Sequence, residues 1–507
     1  MRALTALLLV TAAACGRREV PRAASTSVAS VASVTSATAA LPSPAEAPLA
    51  CATLRDVAVS DVVRVEGKTL YYADATAGLT AVDVTDAAHP HILSIVPFLG
   101  DPVALFVRDG VAWIVTVDPD SRSGKVGLAT VIRAVDVRDP AQPRLLGSEV
   151  REGTVRDAKL VGGLLYVMRA AGDHVTTVEG LGIQRNELRV LDSVEVEGAP
   201  AQLGASAAGL AAVTTSDDHA TVAWVDLSME KPGSMLLTKA VRLPGGVATW
   251  ARGDGRLVDA DEGQRVRIVT CASSACAPGE AATLRIVDFS GESPARTMTS
   301  LRLTEHDGLP VTRFVDGGLY VAEVSPANTD SSMLHIVRTD GRTPRVAARL
   351  PLRGRVTAIV PHGESVVTLG AVGTPDTQMK LVLHDIDVRK PAAPVARSSV
   401  LFGSDWTWSL IAEDGAAMSL DPASHLLAMP FTAWRHEDKH YVTGAQLVDL
   451  RSAGGPATTA LPVDGWVERV VFLDGHLVTV GPKGVSSIDY ASTHMLDVAE
   501  QPLDPGR

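Results

Sequence analysis

The chain has 507 residues, of which 46% are apolar, 21% charged and 4% aromatic, and its formal net charge is −12. This composition is typical of a folded globular protein and excludes a largely disordered one. The acidic balance argues against nucleic acid as the main partner, because phosphate binding needs a basic surface. Four cysteines are too few for a scaffold built on disulfides. Beyond the first 20 residues, no apolar run approaches the roughly 18 residues that span a bilayer.

The N-terminus has the order of a secretory signal peptide. Residues 1–14 contain one basic residue, Arg2, then an apolar run to Val10 and small residues, as export signals do. Cys15 follows directly, and the stretch resembles a bacterial lipoprotein signal, which implies that Cys15 is lipidated. An alternative stays open, because Ala12 stands where that pattern prefers Leu and residues 12–14 also fit an ordinary A-x-A cleavage site. We expect an exported protein of the bacterial envelope, anchored through Cys15.

A spacer follows the signal. Residues 16–49 are mostly Ala, Ser, Thr, Val and Pro and end in LPSPAEAPLA. Such a segment has no amphipathic period and buries nothing, which predicts a flexible linker. The predicted organisation is a signal peptide over 1–14, a linker over 15–49 and one folded domain over 50–507.

The folded part repeats one pattern, an alternating apolar run followed by an Asp, a polar turn and usually a Pro. Examples are LYYADATAGLTAVDVTDAAHP (70–90), VIRAVDVRDPAQP (131–143) and LHDIDVRKPAAP (383–394). Period-two alternation predicts a strand with one buried face. An Asp at the strand end can accept backbone N–H hydrogen bonds in the turn, and Pro can start the next strand. We predict this structural turn role for Asp83, Asp136, Asp226, Asp288, Asp387, Asp449 and Asp489.

The spacing of the units predicts the architecture. With Asp192 and Arg338 at two further equivalent positions, nine positions span 83 to 489, about 51 residues apart. Glycine-containing hairpin turns, such as in EGKTLYYAD (66–74), precede most of them. Four short antiparallel strands in each unit predict an all-β fold, a single large β-propeller. Because Asp192 and Asp226 are only 34 residues apart, the blade number is nine, or eight if these two share a blade.

Two family resemblances agree with this interpretation. Strand ends such as GLTAVDVTDAAHP (78–90) resemble the LVIVD repeat of exported bacterial and archaeal propellers. Over about residues 58–500, the order of segments resembles the secreted β-propeller family distantly related to WD40 repeats, most clearly over 379–403 and 412–431. One departure is Asp414-Gly415-Ala416-Ala417, where that family usually has Asp-His-Lys-Ala. The resemblance implies the fold and export rather than a particular activity.

One literal enzyme motif occurs, HEDKH, with His436, Glu437 and His440. On a helix this spacing would place two imidazoles on one face for zinc, with the Glu as general base. The motif is charged in its middle, however, and the following YVTGAQLVDL (441–450) has the pattern of a strand. We therefore predict a loop between strands and no metal site, with a metalloprotease as the alternative.

The remaining polar motifs are predicted to be structural. The DADEGQ segment offers Asp259, Asp261 and Glu262 at positions that suit a calcium loop but lacks the distal Glu, so a solvated turn is preferred and calcium stays the alternative. DPDSRSG (118–124) is read as a polar insertion. His89, His335 and His384 lie in or beside repeat strands and are read as structural.

The cysteines of the folded part suit an oxidising compartment. Cys271 and Cys276 lie in CASSACAPG, between the strand-like segments RVRIVT and TLRIVDF. A disulfide across this tip is predicted, with two free thiols as the alternative. Cys51 has no evident partner in the sequence.

Two functional hypotheses follow. The first is a non-catalytic, envelope-anchored binding or scaffolding module, whose blade loops contact an unknown protein or polysaccharide; it would be monomeric, bind no nucleic acid and need no cofactor. The second is a propeller enzyme, a hydrolase or quinone-dependent oxidoreductase, with a site over the central channel. An enzyme would need titratable groups that converge from several blades. Because the recurrent Asp belongs to a turn, the sequence favours binding.

Overall fold

The computed structural model describes most of the chain from residue 57 to residue 500. The described ranges are 57–59, 61–120, 127–172, 174–206, 208–216, 218–228, 231–247, 258–260, 264–273, 280–291, 296–305, 310–315, 317–325, 328–339, 343–373, 378–403, 406–412, 415–435, 439–451, 456–491 and 494–500. Among these residues, no helical segment has the length and apolar character needed to cross a bilayer.

The first three blades follow a short N-terminal strand, β1 (Val57–Val59). Blade 1 contains β2 (Val63–Glu66), β3 (Thr69–Asp74), β4 (Gly78–Asp83) and β5 (His91–Val96). Blade 2 contains β6 (Asp101–Arg108), β7 (Val111–Asp120), β8 (Gly127–Asp136) and β9 (Arg144–Glu152). Blade 3 contains β10 (Val155–Val161), β11 (Leu164–Ala170), β12 (Val175–Gln184) and β13 (Glu187–Glu197).

The next three blades follow the same plan. Blade 4 contains β14 (Ala199–Ala205), β15 (Gly209–Thr215), β16 (His219–Leu227) and β17 (Met235–Pro244). Blade 5 contains β18 (Val258–Ala260), β19 (Arg265–Thr270), β20 (Ala281–Asp288) and β21 (Arg296–Glu305). Blade 6 contains β22 (Val311–Val315), β23 (Gly318–Ser325), β24 (Asn328–Arg338) and β25 (Arg345–Arg353).

The last three blades include the one that departs most from the plan. Blade 7 contains β26 (Arg355–His362), β27 (Ser365–Val372), β28 (Lys380–Asp387) and β29 (Val395–Phe402). Blade 8 contains β30 (Trp406–Trp408), 3₁₀ turns at Leu410–Ala412 and Gly415–Ala417, β31 (Ser419–Asp421), β32 (Leu426–Arg435), β33 (His440–Asp449) and β34 (Ala457–Pro462). Blade 9 contains β35 (Arg469–Leu473), β36 (His476–Gly481), β37 (Gly484–Asp489) and β38 (His494–Glu500).

The strands form nine antiparallel sheets, each with four main strands in chain order. The first strands of successive blades contact one another, for example β2 with β6 and β10 with β14, so they line the centre and the fourth strands form the rim. The molecule is a nine-bladed β-propeller, as the all-β prediction expected. One end carries the first-to-second and third-to-fourth strand turns (the turn end), and the other carries the second-to-third hairpins and the links between blades (the link end).

Blade 3 explains why the sequence left the blade number open. Its third and fourth strands are joined by a two-residue turn at Arg185 and Asn186, with φ values of 53° and 63°, as a tight hairpin requires. Asp192 therefore lies inside the fourth strand, opposite Gly180, and is not a turn position like the others. Asp192 and Asp226 belong to different blades, so the eight-blade alternative is wrong.

Burial follows position within the blade. β15, in the middle of its sheet, is buried at every residue, because neighbouring blades cover both faces of such a strand. The outer β25, RVAARLPLR, is mostly half-buried or exposed, and its charges protect a rim strand from pairing with other chains. Clusters of buried side chains fill the spaces between successive blades.

A β-bulge recurs where the third strand meets the fourth. In blade 1, Ala81 pairs with Ser94 and Val82 with Ile92, which leaves Leu93 as the extra residue. Eight blades repeat this shift; the extra residues are Leu93, Leu146, Leu191, Thr238, Met298, Ala347, Arg397 and Leu496. Blade 8 lacks it, since β33 and β34 pair without a break. Bulges increase the local twist, and this one is part of the repeat.

The ring closes between blades 9 and 1 without exchange of strands. Valines of blade 9 pack against blade 1 residues such as Leu70 and Tyr72, and Tyr72 Oη donates to Glu468 Oε2 at 2.6 Å. The N-terminal segment ties further blades together, because β1 pairs with β10 of blade 3 and the Leu105 N–H of blade 2 donates to the Asp61 carbonyl at 2.7 Å. Asp61 also forms a largely buried ion pair with Arg469 at 2.9 Å.

Candidate binding surface

Most of the turn aspartates hold the turn that follows them. The carboxylate accepts a hydrogen bond from the backbone N–H two residues later at Asp83, Asp136, Asp288, Asp387, Asp449 and Asp489, over 2.7–3.2 Å. Asp226 differs, because β16 continues through it to Leu227 and its carboxylate accepts from Trp224 Nε1 at 2.7 Å. These side chains stabilise local structure at the turn end.

Three of these turns add an arginine two residues after the aspartate. Arg138, Arg389 and Arg451 each pair with the preceding carboxylate. The hydrogen bond from Arg138 lowers the pKa of Asp136 to about 2. Arg389, with Arg397 also in contact, lowers the pKa of Asp387 strongly, and Arg451 lowers that of Asp449. These carboxylates remain ionised at neutral pH and serve the turn.

The HEDKH segment follows β32 and runs into the start of β33. β32 ends at Arg435 and β33 begins at His440, and the strands pair up to Arg435 opposite His440. Only Lys439 and His440 of the motif belong to the described residues. With four residues between the strands, the connection leaves no space for the helix that a zincin motif requires.

Several predicted positions lie outside the described residues. They are Cys15, Cys51, Asp261, Glu262, Cys276, His436, Glu437 and most of the 118–124 insertion, and only the backbone is described for Asp259. Cys271 is buried and disulfide-bonded, and because its partner is not described, the pairing with Cys276 stays a prediction.

Blade 8 presents a group of aromatic side chains at the link end. Five residues form this aromatic surface: Trp406, Trp408, Trp434, Tyr441 and Trp466. The chain has only 7 Trp and 6 Tyr, so four of its seven tryptophans lie here. Trp406 pairs across the sheet with Trp434, and Trp434 with Tyr441, which places three rings in one row on one face.

The rings contact one another but keep exposed area. Trp434 and Tyr441 have ring centroids 4.8 Å apart at 63°, and Trp406 and Tyr441 are 6.0 Å apart at 73°. Trp408 lies 5.6 Å from Trp466, which belongs to the link between blades 8 and 9. Tyr441 is 61% exposed and Trp466 41%. Large rings held in fixed positions and open to solvent are typical of binding surfaces.

Two clefts flank the aromatic surface. On the opposite face of the same strands, a cavity of about 320 Å³ toward blade 7 is lined by residues that include Thr407, Phe431, Gln446 and Thr458. Beside Trp466, a smaller one of about 80 Å³ includes Asp464 and Lys483 in its wall. The larger cavity has the volume and mostly apolar wall that are usual for a ligand site, whereas the smaller one has room for a few atoms only.

Charged side chains border the rings. Lys439 and His440 directly precede Tyr441 where β33 begins. On the other side of Trp466, Lys483 Nζ is 3.3 Å from Asp464 Oδ1. Exposed pairs of this kind contribute little to stability. They supply hydrogen-bond donors and acceptors next to the aromatic rings.

A second group of titratable side chains lies near the inner strands of blades 1 and 9. Arg469 contacts Asp61, and Tyr72 Oη donates to Glu468 Oε2 at 2.6 Å and lies 3.3 Å from Asp74 Oδ2. Burial, together with the two carboxylates, raises the pKa of Tyr72 well above its ordinary value. These groups come from blades 1 and 9 and the N-terminal segment and are largely buried, so they are placed to join the ring ends.

Two buried histidines also have structural partners. His335 Nε2 is 2.7 Å from Glu323 Oε2, and both side chains are at most 1% exposed. His384 contacts Ser399 Oγ and the Arg353 carbonyl, and burial lowers its pKa. Within the part of the chain that the structure describes, no three His, Cys, Asp or Glu side chains are grouped so as to hold a metal ion.

Comparisons with known proteins identify no family. No known family matches the chain, and no curated protein does, so the LVIVD and WD40-related resemblances stay predictions. Among solved structures, Saccharomyces cerevisiae Sqt1 has 12% identity and a TM-score of 0.45, over 77% of this chain and 93% of that protein. A protein of unknown function from Desulfotomaculum acetoxidans DSM 771 has 9% identity and a TM-score of 0.34, over 66% and 92%.

A third solved structure is a candidate 6-phosphogluconolactonase from Bacteroides fragilis NCTC 9343. It has 11% identity and a TM-score of 0.35, over 71% of this chain and 96% of that protein. Similarities at this level carry no information on function. The function therefore has to be argued from the surface of this chain.

The aromatic surface was not predicted from the sequence. Its members occupy no repeated position, and they meet only after β30, β32 and β33 pair. One signal was present in the sequence, because three tryptophans and a tyrosine fall between 406 and 441 in a chain with only 4% aromatic residues.

Proposed function

We propose that the protein is a non-catalytic binding module of the bacterial envelope and that the aromatic surface of blade 8 contacts a polysaccharide. The observation that carries the proposal is the concentration of aromatic rings that contact one another, two of them exposed, in an otherwise aromatic-poor chain. The propeller fold is compatible with such a role, because it holds loops and strand ends rigidly on one face.

The chemistry of the surface suits a sugar chain. Sugar rings present C–H faces that stack on aromatic rings and hydroxyls that bond with polar side chains. Asp464 and Lys483 beside Trp466 supply such partners. Protein interfaces also concentrate Trp and Tyr inside a polar rim, so protein capture is the alternative outcome of the test below.

Tryptophan fluorescence tests the proposal directly, since four of the seven tryptophans lie in the surface. The folded domain is titrated with soluble peptidoglycan fragments and with deacylated lipopolysaccharide. We expect a saturable change in emission with at least one of them. Tyr441→Ala and Trp466→Ala should each weaken binding about three- to tenfold, because one ring contact contributes about 0.5–1.5 kcal/mol.

Leu236→Ala is the matched control. Leu236 is 65% exposed on the rim of blade 4, far from the rings in the fold, so this variant should bind like the wild type. Equal binding by wild type and Tyr441→Ala, or no binding of any polysaccharide, would contradict the proposal. Capture of an envelope protein that depends on Tyr441 and Trp466 would replace it with protein binding.

The location at the envelope is proposed from the N-terminal sequence. An export signal that ends at Cys15 and is followed by a linker suits a lipid-anchored protein. Cys15→Ser should then move the protein from the membrane fraction to the soluble fraction. A wild-type protein that is already soluble and begins with an unmodified residue would rule out the anchor and leave the binding surface untouched.

A further inference from the structure

Two histidines meet across the interface between blades 7 and 8 at the turn end. His362 ends the first strand of blade 7, and His425 lies in the turn before β32 of blade 8. His362 Nε2 and His425 Nδ1 are 2.8 Å apart. The rings are nearly perpendicular, at 87°, with centroids 4.9 Å apart. One of the two facing nitrogens carries the proton and the other accepts it, so both point into the space between the two blades.

The backbone of His425 is held in place from both sides. Asp421 Oδ1 accepts a hydrogen bond from Ala423 N at 3.0 Å within the turn, and the His425 carbonyl accepts from Leu450 N at 3.0 Å. His425 itself has a φ of 56°, a left-handed conformation that few residues adopt and that the surrounding structure must enforce. The imidazole is thus presented to blade 7 by a fixed turn.

Carboxylates lie close to both imidazoles. Asp385 is close enough to His362 for its charge to act on that imidazole. On the other side, His425 is close enough to Asp449 to act on its charge. Each of these carboxylates also faces an arginine, Asp385 with Arg397 at 4.0 Å and Asp449 with Arg451 at 2.8 Å, so the imidazoles are the groups available to a metal, and unprotonated imidazole is the form that ligates it.

We propose that His362 and His425 form a site for a divalent transition metal such as Zn²⁺, Ni²⁺ or Cu²⁺, which would link blades 7 and 8. His362 Nε2 and His425 Nδ1 are the two protein ligands, and water completes the coordination. This site is separate from the aromatic surface, which lies at the other end of the propeller.

Metal binding would require the two rings to move apart and to turn, each by about 35°, so that both lone pairs point to the ion instead of along the line between the nitrogens. Zinc–nitrogen bonds of about 2.0–2.1 Å at a tetrahedral angle separate two ligand nitrogens by about 3.3 Å. The rings would move apart by about 0.5 Å from the 2.8 Å of the hydrogen-bonded pair. The proton now shared between the two nitrogens would move to the outer nitrogen of its own ring. With two protein ligands, we expect an exchangeable site rather than a closed structural one.

Metal titration of the purified protein tests the proposal. After treatment with a chelator, the protein is titrated at pH 7.5 with Zn²⁺ alone and with Ni²⁺ alone by calorimetry. We expect one metal site in the wild type. Its affinity should fall at least tenfold in His362→Gln and, separately, at least tenfold in His425→Asn. Asn is chosen at 425 because it tolerates the left-handed backbone, and circular dichroism checks that both variants fold.

His476→Gln is the matched control. His476 also lies at the turn end, is partly exposed and contacts only a nearby carbonyl among its described contacts, so the variant should keep the site. As a second readout, the electron paramagnetic resonance spectrum of bound Cu²⁺ should show two nitrogen ligands in the wild type and fewer in the two variants. The proposal would be overturned if the wild type bound no metal, or if His362→Gln and His425→Asn bound the metal as tightly as the wild type.

Discussion

Blades 7 and 8 are neighbours built on one plan, and they differ in an instructive way. Blade 7 has four strands of eight residues and the recurrent bulge at Arg397. Blade 8 shortens its first strand to Trp406–Trp408, adds two 3₁₀ turns and a small strand, and lacks the bulge. The exposed rings lie where the plan is broken. Repeated positions build the propeller, whereas the departures from the repeat provide the candidate site.

What the two blades share supports the same conclusion. Both end the third strand in an aspartate that holds its turn and pairs with an arginine two residues later, Asp387 with Arg389 and Asp449 with Arg451. A feature present in the regular blade and in the irregular one alike serves the fold. The aspartates are therefore poor markers of function despite their regularity.

The largest expected effect separates core from surface. Leu383 of blade 7 is fully buried in the cluster shared with blade 8, so Leu383→Ala should lower the free energy of unfolding by about 2–5 kcal/mol, through lost burial and the cavity left behind. Tyr441→Ala in blade 8 should change it by less than about 0.5 kcal/mol, because its ring is exposed. Urea unfolding of both variants measures the difference.

The order of the same two variants should reverse when their affinity for polysaccharide is measured. Leu383→Ala, while folded, should bind polysaccharide like the wild type, and Tyr441→Ala should bind it more weakly. If Tyr441→Ala instead destabilised the protein as much as Leu383→Ala, the rings would be part of the core, and the distinction between the two blades would fail.

A substitution in the link between blades 7 and 8 should lower the free energy of unfolding by an intermediate amount. Gly403 has a φ of 105°, and a Cβ there would lie 2.4 Å from Thr407 Oγ1, which is buried in β30. Gly403→Ala should therefore cost about 1–3 kcal/mol through backbone strain and contact with Thr407. Gly475→Ala is the comparison, since its φ is also positive but no atom lies within 4 Å of the added Cβ. Equal thermal unfolding midpoints for the two variants would show that contact with Thr407 is unimportant.

Much of the fold could be predicted because it is encoded locally. Alternating strands that end in Asp83, Asp136 or Asp387, spaced by about 51 residues, indicate each blade without knowledge of its neighbours. The prediction was ambiguous only at blade 3, where the tight turn at Arg185 and Asn186 replaces the usual aspartate turn. Position 192 then fell by chance near the expected spacing.

The candidate sites were not predicted because they depend on contacts distant in sequence. His362 and His425 are 63 residues apart and meet only when two blades pack. Trp408 meets Trp466 through the link to the next blade, and β1 pairs with a strand of blade 3 that follows it by about a hundred residues. No local period marks such pairs. Composition could still have indicated the aromatic surface, because tryptophan is rare elsewhere in the chain.

The smallest expected effect is a difference in the titration of the two shared turns. Arg389 lowers the pKa of Asp387, and Arg397, the extra residue of the bulge, adds a second contact at 2.9 Å. Arg451 lowers the pKa of Asp449, and blade 8 has no bulge to supply an equivalent arginine. We therefore expect Asp387 to titrate at lower pH than Asp449, in carboxyl carbon chemical shifts assigned with the two Asp→Asn variants.

The sign of the effect on stability follows from these directions. Both carboxyls have a native pKa below the unfolded value of about 3.9, so each stabilises the folded state above that pH, and the contribution is lost as the pH falls toward the native pKa. Arg397→Met should raise the midpoint of Asp387 toward that of Asp449 and leave Asp449 unchanged. If the Asp387 midpoint stayed the same in this variant, the bulge would have no part in the electrostatics of the turn, and blades 7 and 8 would differ there in shape alone.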